Sequence, residues 1–192
     1  MAYRQLVAPA IEPVTVAEAK QHLNVDTSDD DALIATLIVA ARQYAEARTR
    51  SSFITQQWSL ALDAFPACPL LLEHGPVQSI DAISYLDTGG VVQTVSVATY
   101  VADLSGLLAR VAPKFGQVWP LALPQIGAVT VSFTAGYGAT ADKVPAGLVQ
   151  WMKLRIGSLY EHREEVVSER GVNVAPLPFF DGLLDGYWQA LV

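Results

Sequence analysis

The stretch AVTVSFTAGYGATADKVPAGL, residues 128–148, contains the change of pattern that decides how this chain is organised. Its first part, VTVSF, alternates β-branched and polar residues in the manner of a half-buried strand. Gly136, Tyr137 and Gly138 follow, and Pro145 then suits the first turn of a helix. The stretch therefore predicts a strand that leaves a sheet at two glycines and returns the chain to a helical region.

The same glycines match the outline of a dinucleotide-binding fingerprint, G-x-G-x-x-A over Gly136–Ala141. Such a site requires a helix that the glycines open directly and a further parallel strand after that helix. Here the helix is predicted to begin near Pro145, and no strand pattern follows Val144. We therefore expect Gly136 and Gly138 to supply unusual backbone angles at the exit from the sheet. A small nucleotide-binding enzyme is kept as an alternative function.

The segment before this exit, residues 56–141, has the two-residue period of an antiparallel β unit. Runs rich in Val, Ile and aromatic residues alternate with prolines and glycines, which predicts five to seven short strands. Residues 87–90, Asp-Thr-Gly-Gly, predict a hairpin turn. The predicted strand runs are WSLALDAF, SIDAISYLD, VVQTVSV, GLLARVAP and AVTVSFTAG.

The residues before the β unit predict two helices. Thr15 and Glu18 have the spacing of a capping box in front of VAEAKQHL. A second helix is predicted over about residues 29–50, with Ser28 as its N-cap. The apolar positions of this second helix form two adjacent lines, Leu33–Leu37–Ala40–Tyr44 and Ile34–Ile38–Ala41–Ala45.

Two further helices are predicted after the β unit. The run LVQWMKLRIGSLYEHR is apolar on almost every side, which is typical of a helix buried in a bundle or between subunits. The run PFFDGLLDGYWQAL predicts a short final helix. The predicted fold class is α+β, with a framework of two N-terminal and two C-terminal helices interrupted by an antiparallel β insertion. The predicted parts are residues 1–55, 56–141 and 142–192, the last packing with the first.

The composition restricts the possible functions. Hydrophobic residues make up 52% of the chain and charged residues only 16%, compared with about a quarter in an average domain. A folded chain with so little charge must bury much of its surface, and self-association is one way to do so. The formal net charge of −7 argues against a protein that grips nucleic acid by its phosphates. It is compatible with a surface past which DNA moves without binding.

The residues that most often carry chemistry form no recognisable site. The single cysteine, Cys68, has no internal disulfide partner and is predicted to be a small buried apolar residue, as in a reducing cytoplasm. His22, His74 and His162 are far apart and match no zinc pattern, and no serine lies in a nucleophile motif. No secretory signal or membrane-spanning run is recognised. We therefore predict no catalytic, cofactor-binding or metal-binding residues, and a protein that is not an enzyme.

The order of these segments resembles that of the head–tail connector (adaptor) proteins of bacteriophages and prophages, in the longer subgroup that carries a β insertion. The resemblance covers nearly the whole chain and rests on the order and spacing of its pieces rather than on one signature. Those pieces are VTVAEAKQHLNVD, DDDALIATLIVAARQYAEARTRSSFITQQW, GPVQSIDAISYLDTGG, VTVSFTAGYG followed by VPAGLVQ, and LYEHRE.

The resemblance implies structural work without catalysis and without a cofactor. It implies a ring of about a dozen copies beneath the portal, through which the genome passes without specific binding. The implied partners are the portal and head-completion or tail proteins, with no membrane. The implied locations are the virion and, during assembly, the bacterial host cytoplasm. Another head- or tail-completion module, or a cytoplasmic β-rich binding domain, is kept as an alternative.

A ring requires contacts between subunits, and the sequence offers candidates for them. Arg42 and Glu46 lie four residues apart on the second helix, where they could face a neighbouring subunit or support the helix within one chain. Tryptophan is enriched at interfaces but also fills cores. The predicted subunit-interface residues are Arg42, Glu46, Trp151, Arg155, Glu161 and Arg163.

Overall fold

The computed structural model describes residues 2–67, 69–161 and 178–188, so that Cys68, His162 and Arg163 lie outside the described residues. Over the described ranges it has four α-helices and two antiparallel sheets, which confirms the α+β class. The helices are α1 Val16–Leu23, α2 Asp31–Thr49, α3 Ala146–Glu161 and α4 Pro178–Asp185. The strands are β1 Ala2–Val7, β2 Gln56–Leu62, β3 Leu70–Leu72, β4 Val77–Leu86, β5 Val92–Thr94, β6 Tyr100–Asp103, β7 Ala109–Pro113 and β8 Val129–Ala135.

The strands form a five-stranded sheet in the order β1-β2-β8-β4-β5 and a three-stranded sheet in the order β3-β7-β6. The five predicted runs correspond to β2, β4, β5, β7 and β8. With β3 and β6, the described part of the insertion has seven strands, within the predicted range. β8 lies at the centre of the larger sheet, and its alternate residues Val129, Val131, Phe133 and Ala135 are buried. The predicted hairpin is present, since the Asp87 N–H donates to the Val91 carbonyl across the turn.

The N-terminal strand β1 is a correction to the prediction that residues 1–55 are helical. β1 pairs with β2, from Ala2 opposite Ala61 to Val7 opposite Gln57, and forms one edge of the larger sheet. Most of its side chains are exposed, so the segment lacks the alternation of a strand with one buried face. β1 is extended because it pairs with β2, a strand more than 50 residues later in the chain. A local sequence pattern does not predict such a pairing.

The helix starts are confirmed at α1 and corrected at α2. At α1, Thr15 Oγ1 accepts from the Glu18 N–H at 3.2 Å, and a Glu18 carboxylate oxygen accepts from the Thr15 N–H at 2.9 Å. At α2 the N-cap is Asp30 and not Ser28, and Asp30 makes no side-chain cap bond. Ser28 uses its backbone instead, because its carbonyl accepts from the Asp31 N–H.

The capping box gives a direct test of this local prediction. We expect Thr15→Ala to lower the free energy of unfolding by about 1 kcal/mol, because it leaves the Glu18 N–H without its acceptor. Chemical denaturation followed by circular dichroism measures the change. Thr36→Ala is the matched control, since Thr36 lies on the exposed side of α2 and bonds only the Ala32 carbonyl four residues back. Equal effects of the two substitutions would contradict the capping role.

Two separate cores hold the fold together. The helical core brings α2 from the first part of the chain against α3 and α4 from the last, for example Ile34 and Ile38 with Trp151 and Met152. The β core lies between the two sheets and includes Leu60, Ile83, Val111 and Phe133. In the described residues, the helical core therefore contains side chains from both ends of the sequence.

Only one of the two predicted apolar lines on α2 enters this core. Ile34, Ile38, Ala41 and Ala45 are buried. In the other line, Leu33, Ala40 and Tyr44 are exposed and Leu37 is half-buried. The reason is geometric, because a helix surrounded on one side presents only a limited arc to its core.

Candidate functional site

Arg42, the first predicted interface residue, lies inside the chain and not on its surface. Its side chain is only 6% exposed, and its guanidinium is held by two carboxylates. Nε donates to Glu12 Oε2 at 2.7 Å, Nη2 donates to Glu12 Oε1 at 3.2 Å, and Nη1 donates to Glu46 Oε2 at 2.7 Å. Arg42 thus fixes the segment that enters α1 onto α2 through a forked, charge-assisted contact.

Glu46 extends this network to the start of the β insertion. Its Oε1 accepts from the Phe53 N–H and from Gln56 Nε2, both at 2.8 Å. Burial raises the pKa of Glu46, while Arg42, Phe53 and Gln56 act in the opposite direction by stabilising the carboxylate. Burial alone would lower the pKa of Arg42, but its two carboxylate partners raise it above the ordinary value. The pair is therefore a buried, hydrogen-bonded junction between α2 and β2.

Trp151 and Arg155, both on α3, contact the same aromatic ring, that of Tyr44 on α2. Trp151 is fully buried, so it is a core residue of the described chain. Tyr44 from α2 stacks on it with 5.7 Å between ring centroids and 5° between ring planes. The Arg155 guanidinium carbon lies 5.3 Å from the Tyr44 ring centroid, which is a cation–π distance. Arg155 is half-buried and therefore reaches solvent beside an exposed tyrosine.

The remaining interface predictions are not brought together with the others. Glu161 is exposed at the last residue of α3, and Arg163 lies outside the described residues. Of the six predicted residues, Arg42, Glu46 and Trp151 are occupied by contacts within the chain. Arg155 and Glu161 stay predictions as subunit contacts.

The glycine turn after β8 does not form a phosphate site. The Gly136 N–H donates to the Pro76 carbonyl at 2.8 Å, and the Tyr137 N–H donates to the Phe53 carbonyl at 3.2 Å. β8 is antiparallel to both of its neighbours, so there is no parallel β-α-β unit around it. The backbone amides of Gly136 and Tyr137 are thus engaged in joining the sheet to the helical framework.

The two glycines of this turn differ from each other. Gly136 has φ +135°, a conformation that other residues rarely adopt. Gly138 does not have a positive φ, so the prediction of unusual backbone angles is correct for Gly136 and wrong for Gly138. At Gly138 the constraint is close packing, because an added Cβ would lie 2.6 Å from Cγ of Lys143.

His74 belongs to an aromatic cluster with Trp58 of β2 and Tyr3 of β1. Its ring stacks on Trp58 with centroids 3.9 Å apart, and Tyr3 meets it edge-on at 4.9 Å. Burial lowers the pKa of His74 to about 4, with the nearby Arg50 charge acting in the same direction. His74 is therefore neutral at neutral pH and packs as an aromatic residue.

The described residues offer little for ligand chemistry. A shallow cavity of about 280 Å³ is lined by residues 64–66 and 119–122, all of them apolar or aromatic. No group of His, Cys, Asp or Glu side chains in the described ranges has the arrangement of a metal site. Among those same residues, none of the helices combines the length and the hydropathy needed to cross a bilayer.

The feature that sequence reasoning missed is an apolar surface at one end of the β insertion. Of the fourteen exposed large apolar side chains in the described ranges, eight lie between residues 91 and 126. We call them the distal apolar surface: Val91, Val92, Val97, Val101, Phe115, Val118, Leu121 and Ile126. A signal was present in the sequence, because residues 88–127 include only three charged side chains, Asp103, Arg110 and Lys114.

Hydrogen bonds place residues 123–127, at the end of the segment that carries this surface, far from the helical framework. The Leu123 N–H donates to the Leu86 carbonyl, and the Gly127 N–H donates to Asp63 Oδ1, both at 2.8 Å. Leu86 is the last residue of β4, whereas the framework joins the sheet at the other end, where Val77 of β4 pairs with Ala135 of β8. With seven residues in β8, the two ends are about 20 Å apart.

Comparison with known proteins gives one family and a set of solved structures. Residues 13–84 match the family described as "Phage gp6-like head-tail connector protein". No protein with a curated function matches the chain in sequence.

The structural likeness extends over the whole chain. A chain of the structure titled "Virion of native gene transfer agent (GTA) particle" has a TM-score of 0.82 and 26% identity, with 100% of this chain and 97% of that chain covered. With the same coverage, a chain of "Neck of empty GTA particle computed with C6 symmetry" has a TM-score of 0.78 and 28% identity. A chain of "Neck of native GTA particle computed with C12 symmetry" has a TM-score of 0.77 and 26% identity, also at that coverage. These neighbours are chains of the virion and of the neck of gene transfer agent particles.

Proposed function

We propose that this chain, which is a phage-type head–tail connector protein, forms a closed ring in the neck of a virion and lets DNA pass through the ring without specific binding. The proposed number of copies is about a dozen. The proposed partners are the portal on one side and head-completion or tail proteins on the other, and the proposed site of assembly is the host cytoplasm. The chain has a structural role, and we propose that it is not an enzyme.

One observation supports the ring above all others. A chain that is similar in structure to this protein over its full length occurs in neck structures computed with C6 and with C12 symmetry. In a cyclic ring, each subunit uses two different surfaces to contact its two neighbours. The net charge of −7 also suits a protein beside a DNA channel, because it disfavours retention of DNA phosphates.

The three predicted parts are proposed here in a modified form. The insertion, residues 56–141 together with β1, is one unit, and the helices on both sides of it are the other. The separate helical and β cores support this division. The Arg42–Glu46 network and the Gly136 turn then join the two units.

The ring is tested with the purified chain. We expect particles of ring shape and of about twelve subunits, because both neighbouring contacts are made by the same chain. Negative-stain microscopy and sedimentation velocity, over a range of concentrations and salt, measure shape and mass. A portal ring should bind these particles in co-sedimentation. Absence of rings under every condition, together with no portal binding, would contradict the proposal.

A calorimetric titration of the same sample tests the alternative of a nucleotide-binding enzyme, and tight binding of a nucleotide would support that alternative. The titration with ATP or NAD is expected to be flat, because the amides of Gly136 and Tyr137 are already hydrogen-bonded and β8 is antiparallel to both of its neighbours.

A further inference from the structure

We propose that the distal apolar surface is one half of the contact between neighbouring copies in the ring, and that it packs against the β1 edge of the next copy. This inference rests on the proposed ring and names the surfaces that close it. The receiving surface, which we call the β1-edge surface, consists of the exposed side chains of Leu6, Val7 and Ile11.

Exposure and charge single out the distal apolar surface. Val118 and Ile126 are 84% and 90% exposed, and Phe115 is completely exposed. Large exposed apolar patches on a folded protein mark surfaces that another molecule covers. Two of the three charged residues in this region, Asp103 and Arg110, neutralise each other in an ion pair of 2.7 Å. Two carboxylates from outside this segment also lie beside the surface, since Asp63 accepts from the Gly127 N–H and Asp87 accepts from the Val91 N–H. The surface is therefore mainly apolar, and its charged groups include these two carboxylates.

The strand register places the two surfaces at opposite ends of the larger sheet. Leu6 and Val7 lie where β1 meets Gln57, at the end of β2 that joins the helical framework. The Leu123 N–H and the Gly127 N–H are instead bonded to Leu86 and Asp63, at the other end of β4 and β2. A head-to-tail ring requires two different surfaces on each subunit, and these two ends meet that requirement.

Charge explains why a second copy is the occupant. Copies with a net charge of −7 repel one another when they are placed side by side. The repulsion is least where the touching surfaces carry no charge. Residues 5–11, QLVAPAI, have no charged side chain, and residues 115–126 have none either. These two uncharged segments are therefore the parts of the two surfaces that we expect to touch.

Two variants test the pairing. The distal variant is Phe115→Ser with Val118→Ser and Ile126→Ser, and the edge variant is Leu6→Ser with Val7→Ser and Ile11→Ser. We expect each variant alone to stay monomeric at concentrations where the wild type forms rings. An equimolar mixture is expected to form dimers and no rings, because each dimer then joins the one intact surface of each variant. Sedimentation velocity measures these masses.

The controls separate folding from assembly. Since the replaced side chains are exposed, the far-ultraviolet spectrum and the thermal midpoint of each monomer should match those of the dissociated wild type. Phe115→Ser alone replaces the triple variant if the triple variant does not fold. Leu33→Ser, at an exposed apolar position on α2, should leave the rings intact.

The masses of the variants and of the wild type separate a failure of the pairing from a failure of the ring. Rings of wild-type mass from either the distal or the edge variant would overturn the pairing and assign that surface to another neck protein. Monomers from both variants without dimers in the mixture would likewise overturn it. Absence of rings from the wild type would instead contradict the proposed ring, and the inference would fail with it.

Discussion

Replacement of Gly136 by alanine is expected to lower the free energy of unfolding by about 3 kcal/mol or more, because a close clash is added to an unfavourable backbone conformation. An added Cβ would lie 2.6 Å from the carbonyl carbon and oxygen of Ile54 and 2.7 Å from the Thr55 nitrogen. These are backbone atoms of the segment that leads into β2, where the Thr55 N–H donates to the Gly138 carbonyl, so they cannot move without breaking the junction. Gly136 also has φ +135°, which disfavours any residue with a side chain.

Two matched substitutions separate these causes. Gly116→Ala tests the backbone term alone, since Gly116 has φ +77° and an added Cβ would meet nothing within 4 Å. Gly138→Ala tests a clash with a side chain, because the atoms in its way are Cγ of Lys143 at 2.6 Å and Cβ of Lys143 at 2.7 Å. We expect Lys143→Ala to restore only part of the stability that Gly138→Ala loses, because it removes Cγ and keeps Cβ. Denaturant unfolding of Gly136→Ala with a loss no larger than that of Gly116→Ala would refute the clash.

Features that depend on neighbouring residues could be predicted from the sequence. The capping box of Thr15 and Glu18 spans three residues, and the hairpin at Asp87 spans four. The alternating pattern of β8 predicts its buried face because alternate side chains of a strand point to the same side of the sheet, and the second sheet packs on that side. In each case the physical cause lies within one segment.

Features that depend on distant residues could not be predicted. β1 is a strand because β2 pairs with it, and Arg42 is buried because Glu12, thirty residues earlier, reaches it. The four-residue spacing of Arg42 and Glu46 suggests a charged outer face equally well. Exposure is likewise a property of the folded chain, so the sequence of Phe115 and Ile126 alone does not separate a surface from a core.

The second large effect is expected at Arg42. We expect Arg42→Ala to lower the free energy of unfolding by about 3–5 kcal/mol, because it leaves a buried charge without its partner. Glu46 is the group most affected, since burial already raises its pKa and Arg42 is the first of the contacts that oppose this. Denaturant unfolding of dilute monomer measures the loss.

Matched variants decide whether Arg42 works within the subunit or between subunits. Arg48→Ala removes an exposed arginine from the same helix and should change stability by less than about 0.5 kcal/mol. Replacing Arg42 by Met together with Glu12→Gln and Glu46→Gln should recover much of the loss, because a neutral set leaves no unpaired charge. If Arg42→Ala left the monomer as stable as the wild type and prevented only ring formation, the interface prediction would be right and the internal network would have no energetic role. We expect the opposite, because all three of the hydrogen bonds described for its guanidinium end on carboxylates of the same chain.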